Sequence, residues 1–330
     1  MINGSPLVTI ITPSYNQAVY LEYTMRSVFE QDYPAIEYLV VDGASEDRSL
    51  EIINKYSARL SWWVTEPDNG QAEAINKGFA RARGEIVGWL NSDDIYLPGA
   101  VAGAVEALRT HPEAGFVYGD AITIDAEGHP LKTLVFPDWG LQDLIGFRII
   151  CQPAVFIRRQ TLLEVGELDV SYHYLLDHQL WLRIAQKAPP VHIPAFWAAA
   201  RHHPAAKNVA QAEGFGGEAF RILSWMQGQS DLKPILMENR PLVVAGAHRL
   251  NARYLLDGGF PGKALAAYWQ ATLTNPGFAL RHWHRMVFAL LSILGGRGLG
   301  NWYYRLRQKW LPDKIDLSGL ENWPGICIES

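Results

Sequence analysis

The sequence predicts an α/β fold: a mainly parallel, twisted sheet with helices on both faces, followed by a C-terminal helical region. Three observations carry that expectation. Short β-branched runs alternate four times with helical patterns over residues 7–110, and polar residues cluster where each run ends. After residue 205 the strand pattern gives way to amphipathic segments punctuated by Gly and Pro.

The first pair sets Leu7–Thr12 as strand before Ala18–Gln31 as helix. Three more follow: Ile36–Asp42 with Arg48–Arg59, Ser61–Thr65 with Ala72–Arg83, and Glu85–Leu90 with Pro98–Thr110. Strand-then-helix order makes neighbouring strands parallel, because each helix returns the chain to the edge where the previous strand began. Gly115–Gly119 and Ala121–Asp125, with the turn-rich Ala126–Pro130, read as a hairpin at a mixed sheet edge. Pro153–Arg158 is then a strand, Thr161–Val165 a short helix, Leu175–Gln186 a helix and Val191–Ala200 a last strand. One domain is expected over residues 1–205. Residues 206–330 form a mainly helical region through Ala212–Gln227, Pro241–Leu256, Gly262–Thr274 and Phe278–Leu294.

Composition narrows the class. With 330 residues, 48% apolar and 19% charged, the chain can bury a sizeable core and is neither collagen-like nor disordered. Two cysteines, Cys151 and Cys327, make no disulfide framework and no zinc site. Residues 1–200 hold 14 Lys+Arg against 25 Asp+Glu, a net −11, while 201–330 hold 15 against 9, a net +6. The acidic part is a poor footprint for nucleic acid, so no nucleic-acid partner is expected. Met1–Leu7 shows no signal peptide, and the longest apolar run, Met286–Leu294, falls far short of a bilayer span of about 20 residues. A cytoplasmic location is the expectation.

In parallel sheets, ligands sit beyond the carboxyl ends of the strands. Those ends carry Thr12-Pro13-Ser14-Tyr15-Asn16, Asp42-Gly43-Ala44-Ser45, Glu66-Pro67-Asp68-Asn69-Gly70-Gln71 and Asn91-Ser92-Asp93-Asp94. Each taken singly is also ordinary turn chemistry; four together point to a site. Tyr15 beside Asp42 offers stacking and a carboxylate acceptor to a nucleobase. Adjacent Asp93 and Asp94 lack a nearby cation in sequence, the arrangement a hard divalent ion bridging diphosphate oxygens requires. Lys77 is either a solvated helical lysine or a phosphate contact. No Gly-x-Gly-x-x-Gly, phosphate-cradling loop or nucleophile elbow follows any strand, which removes dehydrogenase, ATPase and serine hydrolase readings.

The segments Val8–Asn16, Val40–Ser45, Gly70–Gly78 and Trp89–Asp94 closely resemble family 2 glycosyltransferases of the GT-A fold, and the resemblance extends over about residues 6–205. It implies that Pro13, Tyr15 and Asp42 frame the nucleobase and that Asn16, Asp68, Gln71, Asn76, Lys77 and Asp93 lie about the nucleotide. Asp94, with Asp93, is the implied metal ligand for Mn2+ or Mg2+. Leu175–Arg183 is similar to the family's Glu-Asp-x-Asp-Leu-Trp-Leu-Arg helix, with Asp177 as the base; the alternative for Asp177 is a carboxylate favoured by the helix dipole. Trp181 and Arg183 read as core packing and a structural ion pair. Arg201 and His203 align with the family's Arg-x-His loop, in which the His completes the metal shell and Lys207 offsets diphosphate charge; two adjacent histidines in a loop are equally at home in solvent.

The implied activity is inverting, hexosyl-type transfer from a UDP- or dTDP-sugar donor to a hydroxyl of a saccharide or lipid-linked acceptor, in cell-envelope or exopolysaccharide biosynthesis. A nucleotide-sugar binding protein without chemistry is an alternative. So is a sugar-1-phosphate nucleotidyltransferase, which would need a Gly-rich basic loop where Thr12–Gln17 stands. Between residues 281 and 310 there are six Lys+Arg and no Asp or Glu, interleaved with Trp283, Trp302, Tyr303, Tyr304 and Trp310. That stretch is expected either to meet the inner membrane surface peripherally, or to pack on the core, or to form a homodimer contact.

Overall fold

The structure, a computed structural model, describes residues 4–295, 298–299 and 319–328. They fall into two compact units. The first holds residues 4–141, 150–202 and 319–328, and the second holds 142–149 and the described residues of 203–314. The chain therefore leaves the first unit twice, and its last described residues group with the α/β part rather than with the helices that precede them.

The first unit runs β1 (Val8–Ser14), α1 (Ala18–Phe29), β2 (Ile36–Asp42), α2 (Ser49–Tyr56), β3 (Trp62–Thr65), α3 (Gln71–Arg81), β4 (Ile86–Trp89), β5 (Ile95–Tyr96), α4 (Ala100–Thr110), β6 (Phe116–Ile124) and β7 (Pro130–Leu134). Across the boundary lies α5 (Leu141–Ile145), and then come β8 (Val155–Arg158), α6 (Arg159–Val165), α7 (Leu176–Ala185) and β9 (Pro190–Arg201). The strands form one sheet in the order β3-β2-β1-β4-β8-β6-β9-β5, with β7 beside β6. The half made of β3, β2, β1 and β4 is parallel throughout; beyond it β8 runs antiparallel to both its neighbours, and β6 pairs in parallel with β9.

Helices cover both faces, as expected. Val8 and Ile10 of β1 and Tyr38 and Val40 of β2 face one way, onto Leu21, Met25, Ile53, Val101 and Leu108 from α1, α2 and α4. On the opposite face Phe79 of α3 meets Trp89, which stacks on Trp181 of α7 at 5.2 Å. The period-two split of each strand is what makes a two-faced core possible. Gly78 lets α3 lie close on β1: a Cβ there would stand 2.5 Å from Ile11 Cγ2.

Two strand expectations need correction. Residues 115–119 and 121–125 are one continuous strand, β6, with a register shift against β9 on either side of Asp120. A bulge carries the strand past Gly119-Asp120, so the break read from those residues is a kink within one strand. Nor is β6 an edge: it lies between β8 and β9, almost wholly buried, with the hairpin turn at Asp125–His129 leading to β7.

The second unit runs α8 (Lys207–Ala210), α9 (Gly214–Gly228), α10 (Leu232–Glu238), α11 (Arg240–Asp257), α12 (Pro261–Thr274), α13 (Pro276–Ala279) and α14 (Trp283–Leu294). The single helix expected over Phe278–Leu294 is divided into α13, a 3-10 turn at Leu280–His282, and α14. Asn275 caps α13 by accepting from Phe278 N, which starts that turn one residue before Pro276. An open apolar groove of about 620 Å³ lies between α12 and α14, lined by Leu265, Trp269, Met286 and Leu290. Of the basic aromatic stretch at 281–310, residues 296–297 and 300–310 lie outside the described residues. Among the described residues no helix is long and apolar enough to cross a membrane.

Candidate active site

The carboxyl ends of β1, β2, β3 and β4 meet at one edge of the sheet, because parallel pairing brings Ser14 level with Asp42 and Asp42 level with Thr65. Tyr15, 61% exposed, and Asp68 approach each other over Gly43. A Cβ at Gly43 would stand 2.8 Å from Asp68 Oδ2 and 3.3 Å from the Tyr15 ring, so this glycine lets the two side chains come together there. Asp68 Oδ1 accepts from Gly70 N at 2.8 Å, which fixes the turn into α3. Pro13 is buried within β1.

Asp42 is turned inward. It is fully buried, its Oδ1 accepts from Ser45 Oγ at 2.5 Å, and its Oδ2 accepts from Ser45 N at 2.9 Å and Thr65 Oγ1 at 2.7 Å. Through these bonds it braces the loop that does face outward. Ser45 Oγ in turn accepts from Asn16 N at 2.8 Å, and Asn16 Oδ1 accepts from Glu46 N at 2.8 Å. Asn16 and Ala44 both take left-handed backbone, φ 53° and 61°, a strained conformation for residues with a Cβ. Two hydrogen bonds between the β1 and β2 ends hold that strain in place.

The fourth cluster is built around Asp94. Gln71 Nε2 donates to Asn91 Oδ1 at 2.7 Å, and Asn91 Nδ2 donates to Asp94 Oδ2 at 3.3 Å. Arg201 N donates to Asp94 Oδ1 at 2.9 Å. Asp94 is 6% exposed; burial and then the charge of half-buried Asp93 push its carboxyl well above the usual carboxylate range. The Arg201 guanidinium does not neutralise it by a side-chain ion pair. Its Nε donates to the carbonyl of Asp93, Nη1 to those of Asp125 and Ala126, and Nη2 to that of Gly325, while it lies over the Tyr20 ring at 4.9 Å. Arg201 is thus a clamp on four carbonyls around the Asp93-Asp94 turn.

The loop before α7 closes this edge. Asn76 exchanges two hydrogen bonds with the main chain of Leu168, 2.8 and 3.0 Å, so its amide positions that loop. Arg183 ties α7 to the end of α6 through the carbonyls of Val165, Gly166 and Glu167, and Gln179 Oε1 accepts from its Nε. That is a structural role, made with carbonyls instead of the expected ion pair. His173 reaches within 4.0 Å of the place a Cβ on Gly70 would take, which brings the segment leading to Asp177 beside Gln71. Asp177, half-buried, is the carboxylate in the first turn of α7, and its Oδ1 accepts from His178 N at 2.6 Å. Lys77 pairs with Glu66 at 2.9 Å and Glu73 at 3.3 Å. His203 and Lys207 belong to the second unit.

The residues present fit a divalent cation. Two adjacent carboxylates, with Asp94 buried and taking its hydrogen bonds from an amide and a main-chain N–H, offer the oxygen ligands a hard divalent ion takes. Sequence reasoning missed a further group at the β6–β7 turn, Asp125, Glu127 and His129, whose ligand atoms lie within 4.8 Å of one another. Asp125 Oδ1 accepts there from the main-chain N–H of both Glu127 and His129, the bonding of a tight turn. The clamp role of Arg201 was equally invisible, since its partners are main-chain oxygens that carry no side-chain signature.

A family model described as glycosyl transferase family 2 matches residues 9–149. The O-antigen biosynthesis protein RfbC of Myxococcus xanthus is 31% identical over 190 residues, 56% of this chain and 15% of its own length. The putative teichuronic acid biosynthesis glycosyltransferase TuaG of Bacillus subtilis is 32% identical over 197 residues, 57% of this chain and 75% of its own. An uncharacterized glycosyltransferase of Mycobacterium tuberculosis is 30% identical over 198 residues, covering 58% and 74%. Among solved structures, S. aureus TarS 1–349 in complex with UDP-GlcNAc has a TM-score of 0.57 at 17% identity, covering 94% of this chain and 95% of that one. The mannosyltransferase PcManGT from Pyrobaculum calidifontis, in complex with GDP-Man and Mn2+, has a TM-score of 0.57 at 22% identity, covering 89% of each. At such identities the structural likeness is one of fold.

Proposed function

The chain belongs to glycosyltransferase family 2, and from that premise we propose that it moves a sugar from a nucleotide-diphosphate sugar to a hydroxyl of a saccharide or lipid-linked acceptor, with inversion, in polysaccharide assembly. One observation carries the reading: the buried carboxylate of Asp94, beside Asp93 and without a guanidinium or ammonium on it, stands at the strand ends that also present Tyr15 and Asp68. Tyr15 offers its exposed ring to a base, and Asp68 an acceptor for a base or ribose donor. A uracil or thymine base is the proposed one. A divalent cation, Mn2+ or Mg2+, held by Asp93 and Asp94 would neutralise charge gathering on the departing diphosphate.

Asp177 is the proposed base. It takes the proton of the acceptor hydroxyl as that oxygen attacks the anomeric carbon from the face opposite the diphosphate, a role worth about 10²–10⁴-fold. Arg201, Asn76 and Asp42 act as positioning residues: they hold the Asp93-Asp94 turn, the loop before α7 and the β2 loop. The exposed side chains Trp269, Trp283 and Leu294 of the second unit suit a lipid-carried acceptor.

The test is nucleoside diphosphate release from a panel of nucleotide sugars with saccharide acceptors, with and without chelator. Asp177→Asn is expected to lose transfer about 10²–10⁴-fold while keeping donor binding. Asp94→Asn is expected to lose the metal dependence along with activity. Turnover by Asp177→Asn equal to the parent's would remove Asp177 as base, and full activity in chelator would remove the cation.

A further inference from the structure

The helical unit gathers cations along one side of α11. Arg249, Arg253 and Asp257 are spaced four residues apart on that helix and so share one face. Arg285 of α14 donates to Asp257 Oδ1 at 3.3 Å, and Arg253 Nε stands 3.8 Å from Oδ2 of the same carboxylate. Arg148 lies over the Phe278 ring at 5.4 Å, and His282 meets that ring at 5.7 Å. Asp257 is thus the carboxylate that meets both Arg253 and Arg285 in this group of four arginines and a histidine.

Burial makes the imbalance costly. Arg249 is 7% exposed and donates from Nη2 to the carbonyl of Phe147. Its Nε, the Nε of Arg253 and the hydroxyl of fully buried Tyr268 have no hydrogen-bond partner among the described residues. Guanidiniums out of water need a matching anion or they repel one another. The chemistry around them reflects this: burial, then the charges of Arg253 and Arg148, push Arg249 down to about 9, and burial, then Arg249 and Arg148, push His282 down to about 3.

We propose that this cluster is an oxyanion site that takes a phosphate or phosphate ester, with Arg249, Arg253, Arg148 and the Tyr268 hydroxyl as donors. A phosphate group supplies both the missing negative charge and several acceptor oxygens, and planar guanidiniums match it in pairs of hydrogen bonds. Arg148, Arg253 and Arg285 are half-buried, which leaves the cluster open to a ligand from solution. All the residues belong to the second unit, so the inference stands or falls independently of the transferase reading.

Titration of the full chain with inorganic phosphate, followed by calorimetry in EDTA, tests it. Saturable one-to-one binding is expected. Arg253→Gln and Arg148→Gln should each weaken it at least about tenfold, and Asp94→Asn should leave it unchanged. Using two half-buried positions keeps the test valid should an Arg249 variant fail to fold. Flotation on phosphatidylglycerol vesicles separates the sources: vesicle binding displaced by excess phosphate assigns a lipid headgroup, and phosphate binding without flotation assigns a soluble ester. Either supports the site. Absence of saturable binding, or binding that survives both substitutions, overturns it.

Discussion

At the scale of single residues, buried carboxylates do two different jobs here. Glu37 on β2 is 3% exposed and accepts from Thr9 Oγ1 at 2.6 Å, from Arg83 N at 2.8 Å and from the Arg83 guanidinium. Burial works against its charge, but those bonds outweigh it, and the carboxyl sits below its ordinary value. A lowered folded pKa means stability that is complete above the unfolded value, about 4.3, and is lost as pH falls through the folded one. The urea midpoint of the parent should therefore fall on acidification below about pH 4.5, and Glu37→Gln should lose part of that dependence. An identical pH profile in the variant would remove Glu37 from the account. Asp94 has the opposite character: its donors are neutral and its neighbour is Asp93, so burial raises it. One carboxylate is held charged by its partners, while the other is pushed toward its neutral form.

At the scale of elements, the site depends on how closely α3 and the C-terminal segment are drawn in. Gly78→Ala would place a methyl 2.5 Å from Ile11 Cγ2, on a β-branched side chain with little freedom to move aside. A loss of about 1–3 kcal/mol is expected in denaturant unfolding, with no loss taken as evidence that α3 can slide. The segment 319–328 returns to the α/β unit: Trp323 Nε1 donates to the Tyr96 carbonyl at 2.6 Å, Cys327 N to that of Gly128 at 3.0 Å, and Gly325 O receives Arg201. Ile326 packs with Ile95, Leu97, Ile122, Ile124 and Ala199. Trp323→Phe keeps most of that apolar contact and deletes one bond to a carbonyl of β5. It should cost about 1–3 kcal/mol in thermal or chemical unfolding, and an unchanged midpoint would mean the segment adds no stability. Because Gly325 is one of the four carbonyls on Arg201, loosening this segment is also expected to lower turnover.

At the scale of the whole molecule, the acidic α/β part and the basic C-terminal part each concentrate charge of one sign in a different place. The first has Asp93 beside Asp94, and the second has the arginines along α11. Ligands of opposite sign should therefore stabilise the same protein. Mn2+ is expected to raise the melting temperature of the parent and not that of Asp94→Asn, by the mass action of a ligand that binds only the folded state. Equal shifts in both proteins would place the ion elsewhere. The sequence by itself determined the parallel half of the sheet, the four strand-end clusters, and Asp93, Asp94 and Asp177 as candidates. Periods of 2 and 3.6 and the turn residues are local, and local spacing survives in a one-dimensional reading. Only the tertiary structure decided that Asp42 faces inward, that β6 is an interior strand, that Asn76 and Arg201 bind main chain, and that the chain's last segment comes back to the first unit. The reason is distance along the chain. Asn76 meets Leu168 across 92 residues and Arg201 meets Gly325 across 124, through main-chain groups that every residue carries alike. Such pairs leave no pattern in the sequence, because it is the packing of the sheet and its helices that brings them together.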